Sequence, residues 1–153
     1  MKNQIVLASQ SPRRKELLSY IVKEFEIYPS NVDETIEPGT TPEDAVRGLS
    51  LKKASFVAQN FPNSLVIGSD TVVVFGNKII GKAESIDEAR ETLQSMSGQE
   101  HFVFTDLINA FKEQCIFSTE IRCDRGVCHS SSFITNHNFW QIIKKLDRAI
   151  NRI

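Results

Sequence analysis

The chain has 153 residues, 41% hydrophobic and 24% charged, with 18 basic against 19 acidic residues and a net charge of −1. This length and balance fit a single globular domain with enough apolar material for a core, and they exclude a disordered chain. A near-zero charge supplies no global field toward nucleic acid or an anionic membrane, and the longest apolar run, Leu65 to Phe75, is too short and too polar to span a bilayer.

Ile5 to Ala8 is a short apolar run that reads as a buried strand. Ser11-Pro12 then supplies an N-cap and a first helical position, predicting a helix over Pro12 to Tyr20. Phe25 to Tyr28 reads as a second strand stopped by Pro29, and Ser30 to Thr41 as a polar loop. Thr41-Pro42-Glu43-Asp44 is a strong helix start, and the helix is expected to reach Asn60 with Val46, Leu49, Ala54, Val57 and Phe61 near one face. Leu65 to Phe75 does not alternate, which predicts a central strand buried on both faces. Gly76-Asn77 predicts a hairpin into Lys78 to Ile80. Ser85 to Glu88 fits a capping box for a helix ending at Gly98, and His101 to Thr105 reads as a further strand. Strands alternating with helices predict an α/β layer fold.

Beyond Thr105 the character changes. Residues 1–100 hold 11 basic and 14 acidic side chains, and residues 101–153 hold 7 and 5. Asp106 to Asn138 shows only weak, conflicting periodicity, whereas Phe139 to Ile153 carries a helical stripe of Phe139, Ile142, Ile143, Leu146, Ala149 and Ile150. That stripe must be buried, either on this chain's own core or against a second copy as a homodimer. Cys115, Cys123, Cys128, His129 and His137 are too widely spaced for the close ligand pairs of a structural zinc site. Three Cys form no disulfide framework, and the N-terminal MKNQIVLASQSPRR has the wrong order for a secretory signal; both point to the cytoplasm.

Four features carry chemistry. Ser9-Gln10-Ser11-Pro12-Arg13-Arg14 joins a strand to a helix N-terminus, where free N–H groups, hydroxyls and guanidiniums suit an anion; the alternative is a capped helix with two solvated arginines. Asp70 interrupts an apolar strand, where a carboxylate needs a partner, a metal or a reaction. Asp33-Glu34 is an acidic pair in a loop that suits Mg²⁺ or Mn²⁺, or else solvent. Lys53 and Lys82 are ordinary singly. Together the set suits phosphate chemistry, with cations on the phosphates, carboxylates on a metal and one carboxylate activating water.

LASQSPRRKELL (Leu7 to Leu18), Val32-Asp33-Glu34, Lys52-Lys53-Ala54, IGSDTVV (Ile67 to Val73) and Gly81-Lys82 resemble, in order and spacing, the Maf family of cytoplasmic nucleoside triphosphate pyrophosphatases, also called septum formation proteins. The resemblance covers residues 3–105. It implies an α/β fold related to the inosine triphosphate pyrophosphatases, a mixed sheet flanked by helices with the nucleotide between two lobes. The implied reaction is hydrolysis of a nucleoside triphosphate to the monophosphate and pyrophosphate with a divalent metal, Mg²⁺ or Mn²⁺. By the same resemblance Asp70 is the proton acceptor; Ser9, Arg13, Arg14, Lys53 and Lys82 bind phosphates; Glu34 with Asp70 holds metal; and Arg13 and Thr71 mark the dTTP/UTP subgroup.

Two departures stand out. Ala83 follows Lys82 where the family usually has Pro, and Asp106 follows Thr105 where the family usually has Gly. Nothing in Asp106 to Ile153 matches the family's Lys-Ala-Gly-Ala-Tyr-Gly-Ile-Gln-like segment, so the expectation is a Maf-like region over 1–105, an atypical segment over 106–153 and an incomplete second lobe. A shifted reading frame or a divergent paralogue would produce such a tail. The rival to an enzyme is a non-catalytic nucleotide-binding or interaction protein that keeps the phosphate turn.

Overall fold

The computed structural model describes residues 4–111 and, over 114–127, the backbone. The elements run β1 (Gln4–Leu7), α1 (Pro12–Ser19), β2 (Glu26–Ile27), α2 (Pro42–Ala58), β3 (Ser64–Phe75), β4 (Lys78–Ile80), α3 (Ile86–Met96), β5 (Glu100–Phe111) and β6 (Gln114–Val127). The helix expected over Phe139 to Ile153 and the side chains of the Cys/His set lie outside the described residues.

The local signals act as the sequence predicts. Ser11 and Thr41 cap α1 and α2 by accepting the N–H groups of Arg14 and Asp44. Gly76 and Asn77 both take positive φ, 56° and 62°, as the tight turn between β3 and β4 requires. Ser85 caps α3 by accepting the Glu88 N–H at 3.1 Å. The Glu88 carboxylate accepts from the Glu84 N–H at 2.6 Å, so the return half of the expected capping box lands one residue early.

The strands form one mixed sheet in the order β2-β1-β3-β5-β6, with β4 also paired to β3. β1 runs parallel to β2 and β3; the β3–β4, β3–β5 and β5–β6 pairs are antiparallel. Strand residues alternate faces. Val6, Val66 and Ile108 pack under Ala54 and Val57 of α2, while Val72, Val74 and Phe104 pack under Val46 and Leu49. On the opposite face Leu7, Ile67 and Leu107 pack against Leu18 and Val22, so α1 and the turn after it cover that side.

β5 is longer than predicted. It continues from Thr105 through Asp106 to Phe111, and Leu107, Ile108 and Ala110 are buried. Polar residues hide this from the sequence: Asp106 is fully buried and Asn109 is 2% exposed, in a strand that otherwise reads as apolar. The carbonyl oxygen of Asp106 accepts hydroxyl hydrogen bonds from Ser50 at 3.3 Å and Ser69 at 2.8 Å, which tie α2 and β3 to β5 at this point. β6 then extends the sheet over a stretch where no strand was predicted.

One opening in the sheet positions the site. β1 pairs with β3 only as far as Ile67, and β4 joins the same edge only at Val73. β5 occupies the other edge throughout, from Val66 to Val74. Among the described residues, 68–72 therefore present an open edge, at the C-terminal end of β1, where ligands bind in sheets of this kind.

Candidate active site

The turn from β1 into α1 lies over this open edge. Ala8 is still anchored, its N–H donating to the Ile67 carbonyl at 2.8 Å. The Ser9 hydroxyl accepts from the Ser11 N–H at 3.2 Å and from Arg14 Nη1 at 3.3 Å. Arg14 Nη2 donates to Thr71 Oγ1 at 3.3 Å and stands 3.9 Å from Asp70 Oδ1. Asp70 and Thr71 are neighbours in a strand and point to opposite faces, so one guanidinium reaches both by crossing the edge left open among the described residues. Burial pushes the Arg14 pKa down from its ordinary value, against the opposing pull of Asp70 and Glu34.

Asp70 is held from the other side by α2. Lys53 Nζ lies 2.5 Å from Asp70 Oδ1 and 3.0 Å from Glu34 Oε1. This approach depends on Gly68. A Cβ there would stand 2.7 Å from Ala54 Cβ and from the Ser50 carbonyl oxygen, so only glycine lets α2 lie this close to β3.

Glu34 arrives on the loop before α2. Lys52 Nζ donates to the Asp33 carbonyl at 2.6 Å, and the Asp33 carboxylate accepts from the Thr35 N–H and hydroxyl. The acidic pair is thus split: Asp33 serves its own loop, and Glu34 faces the cleft. There it binds Lys82 Nζ at 2.5 Å, and that bond, with help from Lys53, holds its carboxyl below the ordinary range.

Ser9, Arg14, Glu34, Lys53, Asp70, Thr71 and Lys82 all line one cavity of about 470 Å³, within the range of small-ligand sites. Among the described residues its charged lining is three cations against two carboxylates. Arg13 does not line it, being exposed on α1. Successive helical residues point about 100° apart, so Arg13 and Arg14 do not share a face. Two residues outside the expected site set support the site: Lys52, which clips the acidic loop, and Thr105, whose Oγ1 lies 3.1 Å from that of Thr71. Thr105 is found only through the β3–β5 register, which pairs it with Thr71.

The molecule is an α/β protein with a cationic, carboxylate-bearing cleft at an open sheet edge. The chain belongs to the Maf family: the family model described as Maf-like protein matches residues 4–131. It is 46% identical over 112 residues to a dTTP/UTP pyrophosphatase of Bacillus cereus, covering 73% of this chain and 59% of that protein. It is 40% identical over 149 residues to a dTTP/UTP pyrophosphatase of Pseudoalteromonas atlantica, covering 95% of this chain and 77% of that one. The chain thus spans about 59% of the length of the Bacillus relative. The family match and the 149-residue alignment both run past Thr105, where the motif resemblance ends. Among solved structures, a HAM1 protein from Coxiella burnetii superposes with a TM-score of 0.60 over 99% of this chain and 100% of that one, at 14% identity, which shows a shared fold. Among the described residues no helix is long and apolar enough to cross a membrane.

Proposed function

We propose that this chain is a nucleoside triphosphate pyrophosphatase that converts dTTP and UTP to the monophosphate and pyrophosphate in the cytoplasm. The observation that carries this reading is the convergence of Arg14, Lys53, Lys82, Glu34 and Asp70, from separate segments, on one cleft. Relatives named for that reaction support it.

In this reading Ser9, Arg14, Lys53 and Lys82 hold the phosphates. The three cations neutralise the negative charge that develops on a leaving pyrophosphate, and Arg14 and Lys53 do so from largely buried positions where charge is poorly screened. Asp70 accepts the proton of the attacking water, and Lys53 and Arg14 keep its carboxylate aimed at the cleft. Thr71, bonded to Arg14, contributes to the choice of base, and we assign Arg13 there as well, from outside the cavity lining.

A divalent cation suits the donors present. Glu34 and Asp70 both reach the same ammonium of Lys53 and so converge on one point. Mg²⁺ characteristically takes one or two carboxylates and completes its shell with substrate phosphates and water. Glu34 and Asp70 would hold Mg²⁺ or Mn²⁺, which when bound neutralises phosphate charge.

The test is pyrophosphate release from dTTP, UTP, CTP, GTP and 7-methyl-GTP with Mg²⁺ or Mn²⁺. Release from dTTP and UTP ahead of the others is expected. Preference for 7-methyl-GTP refutes the subgroup. Nucleotide binding without release establishes the rival, a non-catalytic nucleotide-binding protein.

A further inference from the structure

Arg14 is the side chain that joins the two sides of the open edge, and its direction is set by Thr71. A guanidinium only donates, so Thr71 Oγ1 is the acceptor of the 3.3 Å bond from Arg14 Nη2. A threonine hydroxyl on a strand has alternative staggered positions, and only one presents its oxygen to Arg14. Something must hold Thr71 in that rotamer. Among the described residues Thr105 is placed to do so: its Oγ1 lies directly across the β3–β5 ladder, 3.1 Å from Thr71 Oγ1.

Thr105 is well anchored for this task. Its residue is paired to Thr71 on one side and to Arg122 of β6 on the other. The β5–β6 register shifts between Thr105 and Leu107, and the intervening Asp106 carbonyl takes the Ser50 and Ser69 hydroxyls. Such irregularities re-aim side chains beside functional sites. Thr105 itself does not line the cavity.

The geometry points to Thr105 as a positioning residue for the phosphate grip: through the Thr71 hydroxyl it fixes the guanidinium of Arg14, without touching the ligand. This rests on the reading of the cleft as a phosphate site. The chain of bonds runs Thr105, Thr71, Arg14, cleft, and loosening its far end lets the guanidinium swing. The cost falls on anion binding rather than on the fold.

The experiment compares Thr105→Val, which keeps the shape and deletes the hydroxyl, with Thr105→Ser, which keeps the hydroxyl. Binding of inorganic pyrophosphate is measured by calorimetry, alongside KM and kcat for dTTP and the melting temperature. Thr105→Val is expected to weaken pyrophosphate binding and raise KM by about three- to tenfold, the scale of one hydrogen bond to a charged group's partner, with kcat changed less. Thr105→Ser is expected to restore both. Equal defects in the two variants, a defect that follows melting temperature alone, or unchanged binding in Thr105→Val each overturn the proposal. A wild type that binds pyrophosphate but releases none from any triphosphate sinks the enzymatic reading and leaves the positioning role standing on the binding data. A wild type that does not bind pyrophosphate overturns both.

Discussion

The ammonium of Lys53 lies 2.5 Å from the carboxylate of Asp70, and the two side chains are only 8% and 12% exposed. This one contact joins the helix α2 to the central strand at the point where the sheet edge is open. A buried ion pair of this kind adds little net stability over an apolar substitute, but removing one partner leaves the other charge stranded. Each partner keeps a second, longer contact: Glu34 Oε1 lies 3.0 Å from Lys53, and Arg14 Nη2 lies 3.9 Å from Asp70.

Asp70→Asn is therefore expected to lower turnover of dTTP by about 10²–10⁴-fold, the usual loss on removing a general base or metal ligand. Lys53→Met is expected to destabilise the fold by up to about 3 kcal/mol, since Arg14 still faces Asp70, and the double variant Lys53→Met/Asp70→Asn to be more stable than Lys53→Met alone. Turnover and chemical denaturation on the same preparations check this. An Asp70→Asn protein with near-normal turnover removes Asp70 from the chemistry.

Gly68→Ala tests what keeps that pair together. Its added methyl group would meet Ala54 Cβ and the Ser50 carbonyl oxygen at 2.7 Å, and neither can rotate away. Overpacking of this sort costs about 1–3 kcal/mol. Here the relief available is for α2 to draw back, which carries Lys53 away from Asp70. Lower stability together with lost activity is the expected result. A variant that loses stability but keeps full turnover shows that the pair does not need the close approach.

Much of this was legible in the residue order, for identifiable reasons. β1, α1, α2 and β3 announce themselves through apolar runs and capping residues, and each falls within two residues of its predicted ends. α3 is legible too, although its apolar positions are little covered, with Ile86 at 79% exposed. β5 beyond Thr105 is not, because Asp106 and Asn109 break the apolar pattern although both are buried. At the cleft, Ser9, Arg14, Glu34, Lys53, Asp70, Thr71 and Lys82 converge as the motifs imply. Arg13 lies outside the lining because a helix cannot aim two successive residues at one target. The Thr105–Thr71 contact depends on a strand register and the Lys52–Asp33 contact on a loop path, neither of which a local pattern records.

Hydrogen exchange measures how firmly the unforeseen part of β5 belongs to the sheet. Leu107 to Ala110 pair with β3 on one side and β6 on the other, and Leu107, Ile108 and Ala110 are core residues. Their ladder amides are expected to exchange as slowly as those of Val66 to Val74, since interior ladders open only with the whole unit. Fast exchange confined to Leu107 to Ala110, with Val66 to Val74 protected, would end the strand at Thr105 in solution.

Glu34 gives the sharpest reversal of sign. Its carboxylate is shared between Lys53 and Lys82, two of the three cations that line the cleft. The Lys82 bond holds the carboxyl below its ordinary value of 4.5, so Glu34 is ionised throughout the neutral range. A phosphate arriving without metal must take these lysines from a competing anion inside the site. Glu34→Gln removes that competitor and also removes one of the two carboxylates assigned to the metal. The variant is therefore expected to bind metal-free pyrophosphate several-fold more tightly than the wild type, since a like charge at this range costs on the order of 1 kcal/mol when partly screened. With Mg²⁺ present it is expected to turn over dTTP more slowly. Calorimetry with pyrophosphate in chelator, set beside turnover with Mg²⁺, reads both halves. If Glu34→Gln weakens metal-free pyrophosphate binding, Glu34 organises the two lysines for phosphate instead of competing for them.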